Sequence, residues 1–180
     1  MNDQKNATTT TQQRPKPTPL IGLLILLTVA VMVGTFIFLN IRLGIMEFWP
    51  GLVFLFYWST FEQFSLQRLP HTVIGMAAGI GLSCAVFTLP GMYGSAGQIA
   101  GPTLIAAAVY CLIMGWLTIV INVPAMLMLT VCTIPILGEA GRFAQIGLGL
   151  ASGVIFFGTL AFVAQTIAGR IKLKPAAEAT

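Results

Sequence analysis

The run LIGLLILLTVAVMVGTFIFLNI, residues 20–41, carries no charged side chain. A hydrocarbon core about 30 Å thick takes roughly 20 helical residues to cross, so this run predicts one complete span. Further apolar segments follow at about 45–62, 71–90, 102–122, 124–137 and 144–168, joined by short connections. Charged residues make up 8% of the 180-residue chain, where a soluble domain has about a quarter. Lipid offers no water to unpaired backbone groups, so spans are helices or closed barrels. The alternating strands of about 10 residues that a barrel requires are not found. The sequence therefore predicts an all-α polytopic membrane protein with six transmembrane helices and no extramembrane domain.

Residues 1–19, MNDQKNATTTTQQRPKPTP, are polar and proline-terminated, with too few apolar side chains to offset the entropy of ordering them. They are expected to form a disordered cytoplasmic tail, ahead of a transmembrane domain over 20–168 and a second cytoplasmic tail over 169–180. The first apolar run is as long as a full span and shows no convincing small-residue cleavage site, which favours an uncleaved helix over a signal peptide. Six spans bring both termini to one side. Lys5, Arg14, Lys16, Arg68, Arg170, Lys172 and Lys174 fall on that side, and Arg42 and Arg142 on the other. The positive-inside rule then makes both termini cytoplasmic in a multi-pass protein of the inner membrane. The net charge of +4 is read as an orientation signal and not as a nucleic-acid surface, because the basic residues are scattered or lie in tails.

Cys84, Cys111 and Cys132 lie inside apolar segments without ligand spacing, so they are expected to be free thiols acting as small hydrophobes. With one histidine in the chain, His71, no metal site is expected, and that residue reads as a solvated interfacial side chain. There is no HExxH, GxSxG or Walker A sequence, no aspartate in any span and no pair of catalytic carboxylates. No enzyme activity and no cofactor are expected.

An internal echo organises the rest. At an offset of 74 residues, the spacing of Pro50 and Pro124, WPGLVFLFYWST (49–60) falls on VPAMLMLTVCTI (123–134). In the same register Arg68 falls on Arg142 and GMAAG (75–79) on GLASG (149–153). The window 45–81 holds seven identities. Proline, arginine and spaced glycine weigh most among them, since a span does not acquire these for bulk hydrophobicity. Each half, about 20–92 and 94–168, then holds three spans. Because three is odd, the second half must cross in the opposite sense, which gives a 3+3 inverted-topology repeat. Such repeats build a midplane site from corresponding short or Pro/Gly-interrupted segments, and spans two and five fit that description. Between Pro124 and Gly138 there are about 14 residues, roughly 21 Å of helix, short of the hydrocarbon core. Asn122 is placed to cap that helix. Pro50 and Gly51 predict a kink or restart in span two.

Pro50, Tyr57, Ser59, Glu62, Gln63, Asn122, Pro124, Thr130 and Thr133 are the pathway-lining candidates. Ser59, Glu62 and Gln63 share a helical face by spacing, as do Thr130 and Thr133. The competing role for each hydroxyl is a bond to its own backbone one turn back. Glu62 with Arg68, and Glu139 with Arg142, are placed to form one ion pair per half at opposite membrane faces, read either as solvated loop pairs or as a charged vestibule at each mouth. Gly75 and Gly79, like Gly149 and Gly153, have GxxxG spacing and predict close helix packing, within the chain or between subunits.

WPGLVFLFYW followed by Gln63, Leu66 and Leu69, then GMAAGIG, and in the second half NVPAMLML followed by FAQIGLGLASG, resembles the small bacterial inner-membrane family known as domain of unknown function 1097. The resemblance covers roughly residues 40–165. It is looser to the fusaric-acid-resistance and aromatic-acid-exporter membrane domains, whose large cytoplasmic part this chain lacks. The resemblance implies an inner-membrane protein and supplies neither a catalytic residue nor a substrate. NVPA at 122–125 is not the aquaporin signature, because valine interrupts it and the aligned FWPG has no asparagine. Two functions are carried forward. One is a small-solute channel or secondary transporter with its pathway between spans two and five, taking neutral or weakly anionic cargo. The other is a non-transporting subunit that packs against a larger membrane partner or its own copies. The lipid bilayer is the one partner common to both.

Overall fold

The computed structural model describes residues 18–134 and 142–177, with side chains through 168. Among these residues six helices follow one another: α1 (Pro19–Arg42), α2 (Trp49–Thr60), α3 (Leu69–Tyr93), α4 (Ser95–Ile113), α5 (Val123–Cys132) and α6 (Phe143–Ala177). No strand occurs among the described residues. Among the described residues four helices are long and apolar enough to cross a membrane: α1, α3, α4 and, over Phe143–Ala168, α6. The chain is thus a membrane-embedded, all-helical protein. The other two helices are short, α2 with 12 residues and α5 with 10. The chain divides into two compact units at Thr35/Phe36, within α1. In the first unit, α1 satisfies its own hydroxyls, Thr28 and Thr35 donating to the carbonyls of Leu24 and Val31 at 2.9 and 2.8 Å.

The second unit holds the core. Glycine ends both α1 and α4 in the same way. Gly44 (φ 72) donates to Ile41 O and Ile45 to Asn40 O, while Gly115 (φ 67) donates to Leu112 O and Trp116 to Cys111 O. These are Schellman stops, which need the left-handed conformation that glycine takes without strain. The second stop corrects a sequence boundary. An apolar helix over 102–122 is expected, but α4 begins at Ser95, ends at Ile113, and leaves residues 114–121 in turns. Gly94 (φ 58) alone separates α3 from α4, and Gly97 lies so close to Leu89 and Pro90 that a Cβ there would overlap their backbone. At the far end α6 continues to Ala177, beyond the expected end near 168.

Beyond this α3–α4 hairpin, the tertiary packing is dominated by two pairs, α2 on α6 and α5 on α3, with α3 also touching α6. Each short helix lies against a glycine-bearing long one. The fully buried side chains Phe54, Trp58, Met76, Met128 and Ile146 come from these four helices, and the ring of Phe36 on α1 packs at a tilt against Phe157 of α6, centroids 4.8 Å apart.

Candidate functional site: two seams between short and long helices

The seam of α2 and α6 is made by backbone. A Cβ on Gly51 would meet the Gly149 carbonyl and the Gly153 Cα, and one on Gly149 would overlap the Glu47 carbonyl. Further along, Gln165 Nε2 donates to the Phe64 carbonyl at 2.9 Å. Contacts advance together along both segments, so the helices run parallel. The seam of α5 and α3 has the same construction. A Cβ on Gly75 would overlap the Asn122 side chain, one on Gly79 would overlap the Ala125 carbonyl, and Ser83 Oγ donates to Leu129 O at 3.2 Å. The two seams also share a register. Gly51 meets Gly153 in one and Ala125 meets Gly79 in the other, and the offset of 74 converts the first pair into the second.

Each seam opens on a polar group at the start of its short helix. Ahead of α2, Glu47 pairs with Arg142 at 3.5 Å and accepts from Trp49 Nε1 at 2.9 Å. Ahead of α5, Asn122 Oδ1 accepts from Ala125 N at 3.0 Å and caps the helix, as its position in the sequence predicts. Its amide donates to the carbonyls of His71 and Ile119, each at 3.2 Å. His71 Nε2 lies 2.9 Å from the Thr118 carbonyl. His71 is therefore a half-buried tie between α3 and the turns before α5. By the offset its counterpart is Gln145, whose Oε1 is buried with no hydrogen-bond partner among the described residues.

Pro50 and Pro124 are fully buried in the two seams, and Tyr57 is buried with its ring stacked on Phe61 at 5.0 Å. The three hydroxyl candidates turn back on their own chain: Ser59 donates to Phe56 O at 3.0 Å, Thr130 to Met126 O at 2.8 Å and Thr133 to Thr130 O at 2.9 Å. The shared face of Ser59, Glu62 and Gln63 is corrected, because α2 stops at Thr60 and Gln63 and Phe64 take positive φ of 48° and 59°. That turn is held by Trp58, whose indole donates to Ser65 O at 3.1 Å. Thr133 likewise lies one residue past α5, at its C-cap.

Glu62 pairs with Arg68 at 3.4 Å, the carboxylate 8% exposed and the guanidinium 71%. Arg142 is joined to Glu47, a partner the sequence reading did not consider, and Glu139 lies outside the described residues. Gly75, Gly79, Gly149 and Gly153 all lie in the seams, so their packing is within the chain. Sequence reasoning also missed Asn40, which is buried near the end of α1 with its Oδ1 2.7 Å from Ser152 Oγ. The signal for it was an amide in an otherwise apolar span. Cys84, Cys111 and Cys132 are free thiols, and the described residues contain no cluster of His, Cys, Asp and Glu able to hold a metal.

Between α3 and α6 an open groove of about 360 Å³ is lined only by apolar residues, Val73, Ala77 and Ile80 facing Gly147, Ala151 and Val154. These two sets are also related by the offset of 74. No family model, curated protein or solved structure matches the chain.

Proposed function

We propose that this protein is a small-solute channel or secondary transporter of a bacterial inner membrane, built as a 3+3 inverted repeat of six spans with both termini cytoplasmic. The observation that carries the proposal is the common register of the two seams. An accident of composition has no reason to repeat in the packing of one helix on another, yet α2 on α6 and α5 on α3 meet through equivalent residues. Parallel running of each pair also suits alternating spans, in which the second and sixth, and the third and fifth, point the same way. Repeats of this kind form a solute site at the interface of the halves, reached through short or interrupted helices. On this reading α2 and α5 flank the pathway. The small number of charges in the spans favours neutral or weakly anionic cargo over metal ions. The likeness to the family of domain of unknown function 1097 belongs to the same proposal.

The test is flux. Purified protein in liposomes should accelerate uptake of at least one member of a panel of neutral and weakly anionic metabolites, and Pro50→Leu or Pro124→Leu should reduce that rate. A panel without any protein-dependent uptake would sink the transport reading.

One observation favours the second reading, a non-transporting subunit. The α3–α6 groove is open and wholly apolar, as a surface for another membrane helix would be. Stoichiometric co-purification of a larger membrane protein, lost on Ala77→Trp, is its expected sign.

A further inference from the structure

We infer that the two seams are closed by two chemically different latches, Glu47–Arg142 and Asn122–His71, and that these are the gates opened alternately during transport. The inference rests on the transport reading above. Both latches join the start of a short helix to the start of the long helix it packs on. Glu47 precedes α2 and Arg142 directly precedes α6; Asn122 caps α5 and His71 lies in the first turn of α3. Each latch therefore ties one repeat half to the other. The Glu62–Arg68 pair, by contrast, closes within the single turn between α2 and α3 and ties nothing across the halves. In the inverted arrangement the two latches face opposite sides of the membrane, Asn122–His71 on the side of the termini.

The geometry suits a gate. Beyond each latch the seam brings glycine backbone against backbone, with buried side chains such as Met128 beside it and single side-chain bonds further along, Ser83 Oγ to Leu129 O and Gln165 Nε2 to Phe64 O. The latch is the polar tie at the mouth of each seam. Glu47 is 16% exposed and Arg142 44%, and both lie just ahead of their helices, so on the transport reading the ion pair faces water at the end of the spans, where salt weakens it. The other latch joins an amide, an imidazole and backbone carbonyls and contains no ion pair. A difference of this kind lets each mouth be loosened separately.

The experiment uses the full-length protein in oriented liposomes with its native cysteines replaced. Phe48→Cys or Ile121→Cys, both half-buried beside the latches, reports labelling by a membrane-impermeant maleimide added from the facing side. Glu47→Gln should raise labelling at position 48 about two- to fivefold, the change expected from breaking a half-exposed ion pair, and lower it at 121. His71→Ala should do the reverse. Asn122→Asp, which keeps the capping oxygen but loses the amide donor, should follow His71→Ala. If His71→Ala fails to fold, high salt on the unsubstituted latches replaces it and should, like Glu47→Gln, raise labelling at position 48 and lower it at 121. Labelling that rises at both positions together, or at neither, overturns the inference, because a merely structural tie loosens both mouths or none. Uptake measured in the same liposomes keeps the two ideas apart. Reciprocal labelling without any flux sinks the transport reading alone, and flux with co-directional labelling sinks the latches alone.

Discussion

Gly153 has the Cα of Gly51 in front of it, so a Cβ at that position meets backbone and not the yielding end of a side chain. Gly147, on the same helix, has nothing within 4 Å of where its Cβ would be. Gly153→Ala is therefore expected to cost about 1–3 kcal/mol through overpacking, while Gly147→Ala stays within about 0.5 kcal/mol. Unfolding of the detergent-solubilised variants checks the contrast, and equal losses at both positions would count against backbone packing in the seam. The GxxxG spacing makes these glycines readable from sequence, because small residues one turn apart have few other uses in a span. The pairing of Arg142 with Glu47 was not readable in that way, because the two lie far apart in sequence and meet only by the docking of α2 on α6. Asn122 could be recognised as a cap because capping is local; its bonds to His71 depend on the same kind of docking between distant segments.

The two short helices owe their ends to local chemistry at the level of the element. Trp58 is fully buried and its indole holds the turn after α2 by donating to Ser65 O. Trp58→Phe keeps most of the apolar bulk and removes one of two donors to that carbonyl, Arg68 N remaining at 3.3 Å, so a loss of about 0.5–1.5 kcal/mol is expected in the same unfolding measurement. On α5 one face is buried and the other is not: Cys132 is buried, whereas Thr130 is exposed. With Cys84 and Cys111 replaced, a lipid-soluble maleimide should label Thr130→Cys much faster than native Cys132. Comparable rates would place α5 in some other rotation about its axis. Helix existence was legible from the apolar runs, but the end of α4 was not. Residues 114–121 read MGWLTIVI, apolar enough to continue a span, and the stop is set by one glycine in a left-handed turn. Hydropathy has no term for that conformation. The shortness of α5 was legible because Pro124 and Asn122 mark its start by mechanisms local to the chain.

At the largest scale the seams tie the second compact unit together crosswise, which has a consequence for the two halves of the proposed repeat. Pro50 is covered by α6 and Pro124 by α3, so neither half up to or beyond Gly94 can bury its own short helix. In a bundle where each half packed upon itself, the halves would be independent and the repeat could be cut. Here the halves are predicted to fold only together. Two separate chains divided at Gly94, the single residue between α3 and α4, should each be degraded when expressed alone and should co-purify as a stable pair when co-expressed. The close approach of Gly97 to Leu89 and Pro90 gives the cut ends a further reason to reassociate. A protease-resistant first half on its own would mean that α2 finds cover without Gly149 and Gly153, and the crosswise seams would then not be the basis of the fold. The same pair of chains tests the proposed topology. Reporter fusions at the original termini should be cytoplasmic, while fusions at the new termini beside Gly94 should lie on the opposite side of the membrane, because three spans separate them from either end.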